Sequence, residues 1–320
     1  MKVLFVHSGN SSRYPVSPFV LSQAEALRKS GVEVSLFPVM GRGRDYLRNV
    51  RPLRERIRTE RPDVIHAHYA LCGWVAVLAR SGRPVVVSLM GDDAQGTFDP
   101  RGERTMGGNL LVMGTRLLQP FVQAIIIKSE GMGRAVWRKR IMHLLPNGVD
   151  LERFNPTLFG GHTLSATSRA KKCVLFLGDP ADPNKNVALV RDAIARSNRT
   201  DVELITPYGA GHADVPRLMQ EAHVLALCSF AEGSPNVLKE AMAMGLPVVT
   251  VPVGDAALVL GDTPGCFVAG YDAGDFADKL CRALDLKGRT TGRNRLIALG
   301  LDAPAVARKL QAIYSSLLTR

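Results

Sequence analysis

Short apolar runs of four to six residues alternate with amphipathic stretches twice along this chain, and that repeated alternation leaves few folds open. The first series reads as strands near Val3–His7, Val32–Phe37, Val64–Ala67, Val85–Leu89, Ala124–Lys128 and His143–Leu145, with helices between them. Strands and helices in turn predict a parallel, doubly wound sheet. A polar, poorly periodic stretch from Asn155 to Lys172, rich in Gly, Ser and Thr, reads as a linker. The series then restarts with Cys173–Leu177, Val202–Thr206, Val224–Leu227, Val248–Val251 and Cys266–Val268. The expected class is α/β, with one domain over residues 1–154, a linker at 155–172, a second domain at 173–303, and a last helix over 304–320 with no strand after it. At 320 residues and 46% hydrophobic content the chain can bury two ordinary cores but not three.

The most continuous apolar stretch, Leu110 to Ile127, is interrupted by Arg116, Gln119, Pro120 and Gln123 and cannot span a bilayer. Met1 to His7 has a strand pattern without a signal-peptide core, so a soluble, cytoplasmic chain is expected. Cys72, Cys173, Cys228, Cys266 and Cys281 are odd in number and widely spaced, which fits reduced thiols better than a disulfide framework or a zinc site. Neither Gly41-Arg42-Gly43 nor Gly209-Ala210-Gly211 follows a first strand into a helix with the required third glycine. A nicotinamide or flavin cofactor is therefore not expected.

The run Glu232 to Val249 carries the most chemistry. The apolar Val224 to Cys228 reads as a buried parallel strand, after which Ser234 can cap and Pro235 can open a helix that Gly245 ends, with Pro247 leading into the next strand. A helix N-terminus just past the carboxyl end of a strand suits an anion, because its N–H groups and dipole point there together. An anionic ligand is thus expected beside Ser234, Pro235, Asn236 and Val237. Glu232 on the loop can face a sugar, and Glu240 within the helix can accept hydrogen bonds from a vicinal diol such as ribose; the plainer alternative makes both ordinary surface carboxylates. A nucleotide sugar satisfies the whole set.

The same string, Glu232-Gly-Ser-Pro-Asn-Val-Leu-Lys-Glu240-Ala-Met, resembles the Glu-x7-Glu signature of retaining glycosyltransferases of family four, within the GT-B superfamily. Pro146-Asn147-Gly148-Val149-Asp150 is similar to the segment that closes the family's first domain, and Leu175-Phe176-Leu177-Gly178 followed by Lys185-Asn186 to the strand and phosphate loop that open its second. Asp63 to His68 and Gly91-Asp92-Asp93 resemble strand ends on the first domain's side. The resemblance implies a GT-B fold, two Rossmann-like domains facing across a cleft, with the last helix crossing back to the first domain. It implies a metal-independent sugar transferase with no cofactor, taking a UDP- or GDP-linked donor and retaining anomeric configuration. Lys185 would meet the leaving diphosphate, Glu240 the ribose and Glu232 the donor sugar, with the proton going to a donor phosphate oxygen rather than to a protein nucleophile. Gly9 and Asn10 would approach the donor diphosphate or the acceptor. Residues Thr206 to Gly211 would touch the base. Bacterial members with this string build exopolysaccharide, teichuronic acid or other lipid-linked surface glycans.

Two positions depart from the family pattern. Met90 replaces a histidine before Asp93, which leaves Asp92, Asp93 and His68 as candidates on the acceptor or sugar side; the two aspartates could equally cap their loop, and His7, His66 and His68 could be structural. Asp179 replaces an arginine after Gly178, and the Asp-Pro-x-x-Pro composition there favours a turn. Charge is uneven: residues 1–150 hold 22 Lys and Arg against 12 Asp and Glu, and residues 151–320 hold 19 against 17. The run Arg42, Arg44, Arg48, Arg51, Arg54, Arg56, Arg58 and Arg61 and the cluster Arg138-Lys139-Arg140 suit either solvated helices or docking on the anionic inner membrane surface, where a lipid-linked or glycan acceptor would lie. Scarce aromatics, 6%, and the absence of a recognised motif argue against nucleic acid. The rival readings are a sugar-nucleotide 2-epimerase on the same fold and an inactive accessory subunit. Oligomeric state is not legible.

Overall fold

The computed structural model describes residues 1–10, 14–41, 43–99, 103–159 and 171–319. In chain order it contains β1 (Lys2–Ser8), α1 (Pro18–Lys29), β2 (Glu33–Val39), α2 (Val50–Glu60), β3 (Val64–His68), α3 (Ala70–Leu78), β4 (Val85–Ser88), α4 (Asp92–Gln95), α5 (Met106–Leu118), β5 (Ala124–Ile127) and β6 (Met142–Leu144). There follow β7 (Lys172–Leu175), α6 (Val187–Arg196), β8 (Val202–Ile205), α7 (Val215–Glu221), β9 (Val224–Leu227), α8 (Asn236–Ala243), β10 (Val248–Thr250), α9 (Ala256–Leu260), β11 (Cys266–Val268), α10 (Ala273–Leu284), α11 (Gly292–Ala298) and α12 (Ala303–Leu318). Every strand read from the sequence is present. Of the expected linker, residues 160–170 lie outside the described residues.

The chain forms two compact units. One comprises Met1–Thr97, Arg104–Gly148 and Ala303–Arg320, the other Phe98–Glu103 and Val149–Asp302. The first holds a six-stranded sheet in the order β2-β1-β3-β4-β5-β6, and every pairing is parallel. Its strands read as continuous apolar runs because both faces are covered. Leu4, Val6, Ile65, Val87, Ile125 and Ile127 pack on one side with α2, α3 and α5. Their neighbours Val3, Phe5, Val64, Val86, Ala124 and Ile126 pack on the other, against α1 and α12. α12 thus returns to the first unit through Val306, Ala307, Leu310 and Tyr314.

The second unit holds a five-stranded parallel sheet in the order β11-β10-β9-β7-β8. Its core joins Leu225, Val249, Leu238, Met242, Phe276 and Leu280 among others. Chain order reverses between β7 and β9, where outgoing connections diverge and leave a crevice at the carboxyl ends of the strands. Among the described residues, no helix is long and apolar enough to cross a membrane.

Candidate functional site

Two loops leave the switch point of the second sheet and are fastened to each other. The first runs from β7 through Gly178 and Asp179 to a 3-10 turn, Pro183–Lys185. The Asp179 carboxylate accepts the Ala181 N–H at 2.9 Å, and that of Asp182 accepts the Asn184 N–H at 3.0 Å, so this segment is a built turn. The second loop runs from β9 to α8. Asn184 clamps the two: its side-chain NH2 donates to the Ala231 carbonyl and its side-chain oxygen accepts the Ala231 N–H, both at 3.0 Å. Its carbonyl also accepts the Phe230 N–H at 2.9 Å. The Cys228 thiol adds contacts to the carbonyls of Lys185 and Asn186 at 3.2 and 3.0 Å; burial pushes that thiol up to about 12, so it stays protonated.

This fastening brings the Lys185 ammonium to 2.6 Å from the Glu232 carboxylate. Both line a pocket of about 380 Å³ together with Asp179, Tyr208, Asn236 and Val237, a volume within the usual range for small-molecule sites. Pro235 also borders it, and Tyr208, half exposed, stands in the stretch expected to touch a base. Asp179 therefore shapes its turn and faces the pocket at once.

α8 begins one residue later than expected. Pro235, not Ser234, is the N-cap residue, and no side chain caps the helix. The Ser234 hydroxyl is turned to the interior instead: it donates to Asp255 at 2.6 Å and accepts from the Lys239 ammonium at 2.9 Å. The correction has a plain cause, since a buried ammonium and a buried carboxylate both need a partner and the hydroxyl serves both. Lys239 is 1% exposed. Burial pulls its amine down to about 8, against the opposing charges of Asp255 and Glu240, and burial also raises the Asp255 carboxyl. At its other end α8 closes with a Schellman motif: Gly245 at φ +66° donates to Met242 and Leu246 to Ala241. Glu240 is no solvated surface residue, for it lies 3.3 Å from the His212 ring.

The candidates in the first unit behave differently. Asp93 is fully buried and accepts the N–H groups of Ala70, Met90 and Gly91 at 2.8 to 3.1 Å, so it fastens the β4–α4 turn to the start of α3. Desolvation nevertheless raises its carboxyl to about 6. Asp92 is exposed on the first turn of α4. His68 is 3% exposed, stacked on His66 with ring centroids 4.3 Å apart, and held neutral by burial and by the neighbouring His66, Lys128 and His7. Its ring packs between Phe5 and His66. His66 bridges Ser88 and Tyr314, at 2.8 and 2.5 Å. Gly9 packs so closely on Pro38 and Met40 that a Cβ would lie 2.5 Å from the Met40 sulfur, and Asn10 bonds the Gly41 N–H and Tyr46. The described residues contain no group of three or more His, Cys, Asp or Glu able to hold a metal ion.

Sequence reasoning missed Asn184, Cys228, Lys239 and Asp255. Of the basic run, Arg54 is spent on the carbonyls of Leu78 and Ala79 at the end of α3, and Arg48 and Arg56 pair with Asp45 and Glu60.

Residues 16–153 match the family described as Glycosyltransferase Family 4, and residues 200–286 match Glycosyl transferases group 1. D-inositol 3-phosphate glycosyltransferase 2 of Catenulispora acidiphila is 26% identical over 284 residues, 71% of this chain and 64% of that protein. The chain thus spans somewhat less than two thirds of the length of such curated relatives. Sucrose-phosphate synthase from Thermosynechococcus elongatus superposes with a TM-score of 0.75 at 17% identity, covering 99% of each chain. Anabaena HepE in complex with UDP-glucose superposes with a TM-score of 0.71 at 16% identity, covering 99% of this chain and 100% of that one. These likenesses show the fold, which is GT-B: two parallel-sheet α/β units.

Proposed function

We propose that this chain transfers a sugar from a nucleotide-sugar donor to a hydroxyl of a lipid-linked glycan, with retention of anomeric configuration and without a metal, in the building of surface polysaccharide. The observation that carries the reading is the Lys185–Glu232 pair at the pocket beneath the start of α8. Both matched families and the UDP-glucose held by the HepE structure agree with it.

The chemistry follows from the groups present. The bond between the anomeric carbon and the diphosphate oxygen breaks, the acceptor oxygen bonds to that carbon, and its proton passes to a donor phosphate oxygen. The departing diphosphate gathers negative charge, which Lys185 and the N–H groups opening α8 meet. Lys185 must then exchange Glu232 for phosphate. Both side chains are partly exposed, 28% and 21%, so the pair is cheap to open. Glu232, released, accepts hydrogen bonds from the sugar, and Glu240 takes the ribose hydroxyls in place of His212.

Thermal shifts with UDP and GDP identify the base, since a ligand at about 100 times its dissociation constant adds roughly 2.7 kcal/mol of stability. With the donor known, Lys185→Ala should lower turnover about a hundredfold or more, while Asp179→Asn should change turnover little and tighten nucleoside-diphosphate binding by relieving repulsion. Near-normal turnover in Lys185→Ala, or an epimerised nucleotide sugar formed without acceptor, overturns the assignment.

A further inference from the structure

The first unit carries an apolar stripe that neither its sheet nor the proposed chemistry uses. α5 buries Gly108, Val112, Thr115 and Leu118 and packs on α3 and α4. The opposite side presents Met106, Leu110, Met113 and Leu117, between 51% and 81% exposed. Spacings of four, three and four residues place these side chains on one side of a helix. Phe121, just past the helix end, and Trp137 extend the patch, and both are more than half exposed. The Trp137 indole donates to the Arg116 carbonyl at 3.0 Å, which pins the ring beside the last turn of α5. A contiguous apolar patch of this kind marks a surface that something covers.

Charge selects the occupant. From Arg104 to Val149 the chain holds seven Lys and Arg and a single acid, Glu130. Arg116, Arg134, Lys139 and Arg140 are exposed on α5 or in the segment that carries Trp137. Two copies of this face would bring like charges together, whereas anionic headgroups would neutralise them while Leu, Met, Phe and Trp enter the layer beneath. A helix of 13 residues is about 20 Å long, too short to cross the hydrocarbon core and suited to lying in its surface.

We propose that α5, with Phe121 and Trp137, is a membrane-contact face that seats the first unit on an anionic lipid surface. The proposal rests on this surface alone and holds whichever sugar is moved. It differs from purely electrostatic docking through the arginine run, because part of the binding must survive raised salt.

Flotation of the whole chain with phosphatidylcholine vesicles, with and without phosphatidylglycerol, tests it. The wild type should float with the anionic vesicles, retain part of that binding at about 1 M salt, where the Debye length is about 3 Å, and show a blue shift in tryptophan fluorescence that Trp137→Phe removes. Leu110→Gln with Leu117→Gln should weaken binding at least about tenfold, and Arg116→Gln with Arg140→Gln should weaken binding to anionic vesicles alone. No flotation, equal binding to both vesicles, unaltered binding by the leucine variant, or a dimer in sedimentation that the leucine variant dissolves each overturns the proposal, the last in favour of a second copy. The leucine variant should keep the thermal shift with UDP or GDP, so a failed flotation leaves the donor reading standing, and a failed thermal shift in the wild type leaves the membrane face standing.

Discussion

Burial sets the chemistry of Lys239. Its ammonium has lost bulk water, donates to the Ser234 hydroxyl and lies near the charges of Asp255 and Glu240. Removing one partner of such a buried arrangement leaves the other uncompensated, so Lys239→Met should destabilise the protein by about 3–5 kcal/mol, read by chemical denaturation. The amine falls from 10.5 to about 8 on folding, so between these values the unfolded chain binds the additional proton. This residue's contribution to stability therefore rises with pH across that window, by up to about 1.4 kcal/mol per pH unit. Below pH 8 the charged amine bears its full desolvation cost. Across about pH 8 to 10 the wild type should gain on Lys239→Met by that slope; a difference independent of pH would mean that the amine is hydrated. The sequence placed Lys239 beside Glu240 but gave no sign of its depth. Glu232, Lys185, Asn236 and Val237 were legible as one site because helix and strand periodicities fix the ends of β7, β9 and α8. Their fastening by Asn184 was not, because it joins residues 47 apart in the chain.

At the scale of elements, the loop before α8 is held from three sides: by Asn184, by the Ser234 hydroxyl and by Gly254. The last sits at φ +58°, where a Cβ would come within 2.5 Å of the Gly233 carbonyl oxygen and 3.0 Å of that of Glu232. Backbone cannot yield as a flexible side chain can, so Gly254→Ala must push the loop outward and turn the start of α8 from the pocket. Nucleoside-diphosphate affinity by calorimetry should fall about tenfold or more, an amount that a misplacement near 1 Å can exceed. Unchanged affinity would show that the loop adjusts freely. Ser234 teaches the same lesson. A Ser-Pro pair before a helix reads as a cap by local rule, and the rule lost here because a tertiary partner, Asp255, competed for the hydroxyl.

For the whole molecule, α12 decides how the first unit is closed. Leu310 and Tyr314 are fully buried in its core beside Val3, Phe5 and Val64, and the Tyr314 hydroxyl meets His66. Leu310→Ala should therefore cost about 2–5 kcal/mol. Both tryptophans, Trp74 and Trp137, belong to this unit, so intrinsic fluorescence reports its unfolding alone. The fluorescence transition should shift to lower urea, while the thermal protection given by nucleoside diphosphate to the second unit persists; an unmoved transition would mean that the first unit stands without α12.

Strand number, strand order along the chain, parallel pairing and the place of the turn that opens α8 were all determined by the sequence itself, because they depend on periodicity and on residues near one another in the chain. Eleven apolar runs gave eleven strands among the described residues, and the Glu232–Glu240 string marked the junction of β9 and α8. Tertiary structure alone decided which polar groups went inside. Asp93, His66, His68 and Lys239 look like surface or site residues in sequence, yet all four are buried. Their neighbours come from distant segments, and desolvation acts only once those segments meet. In the same way only the packed fold showed that α5 turns Met106, Leu110, Met113 and Leu117 toward solvent.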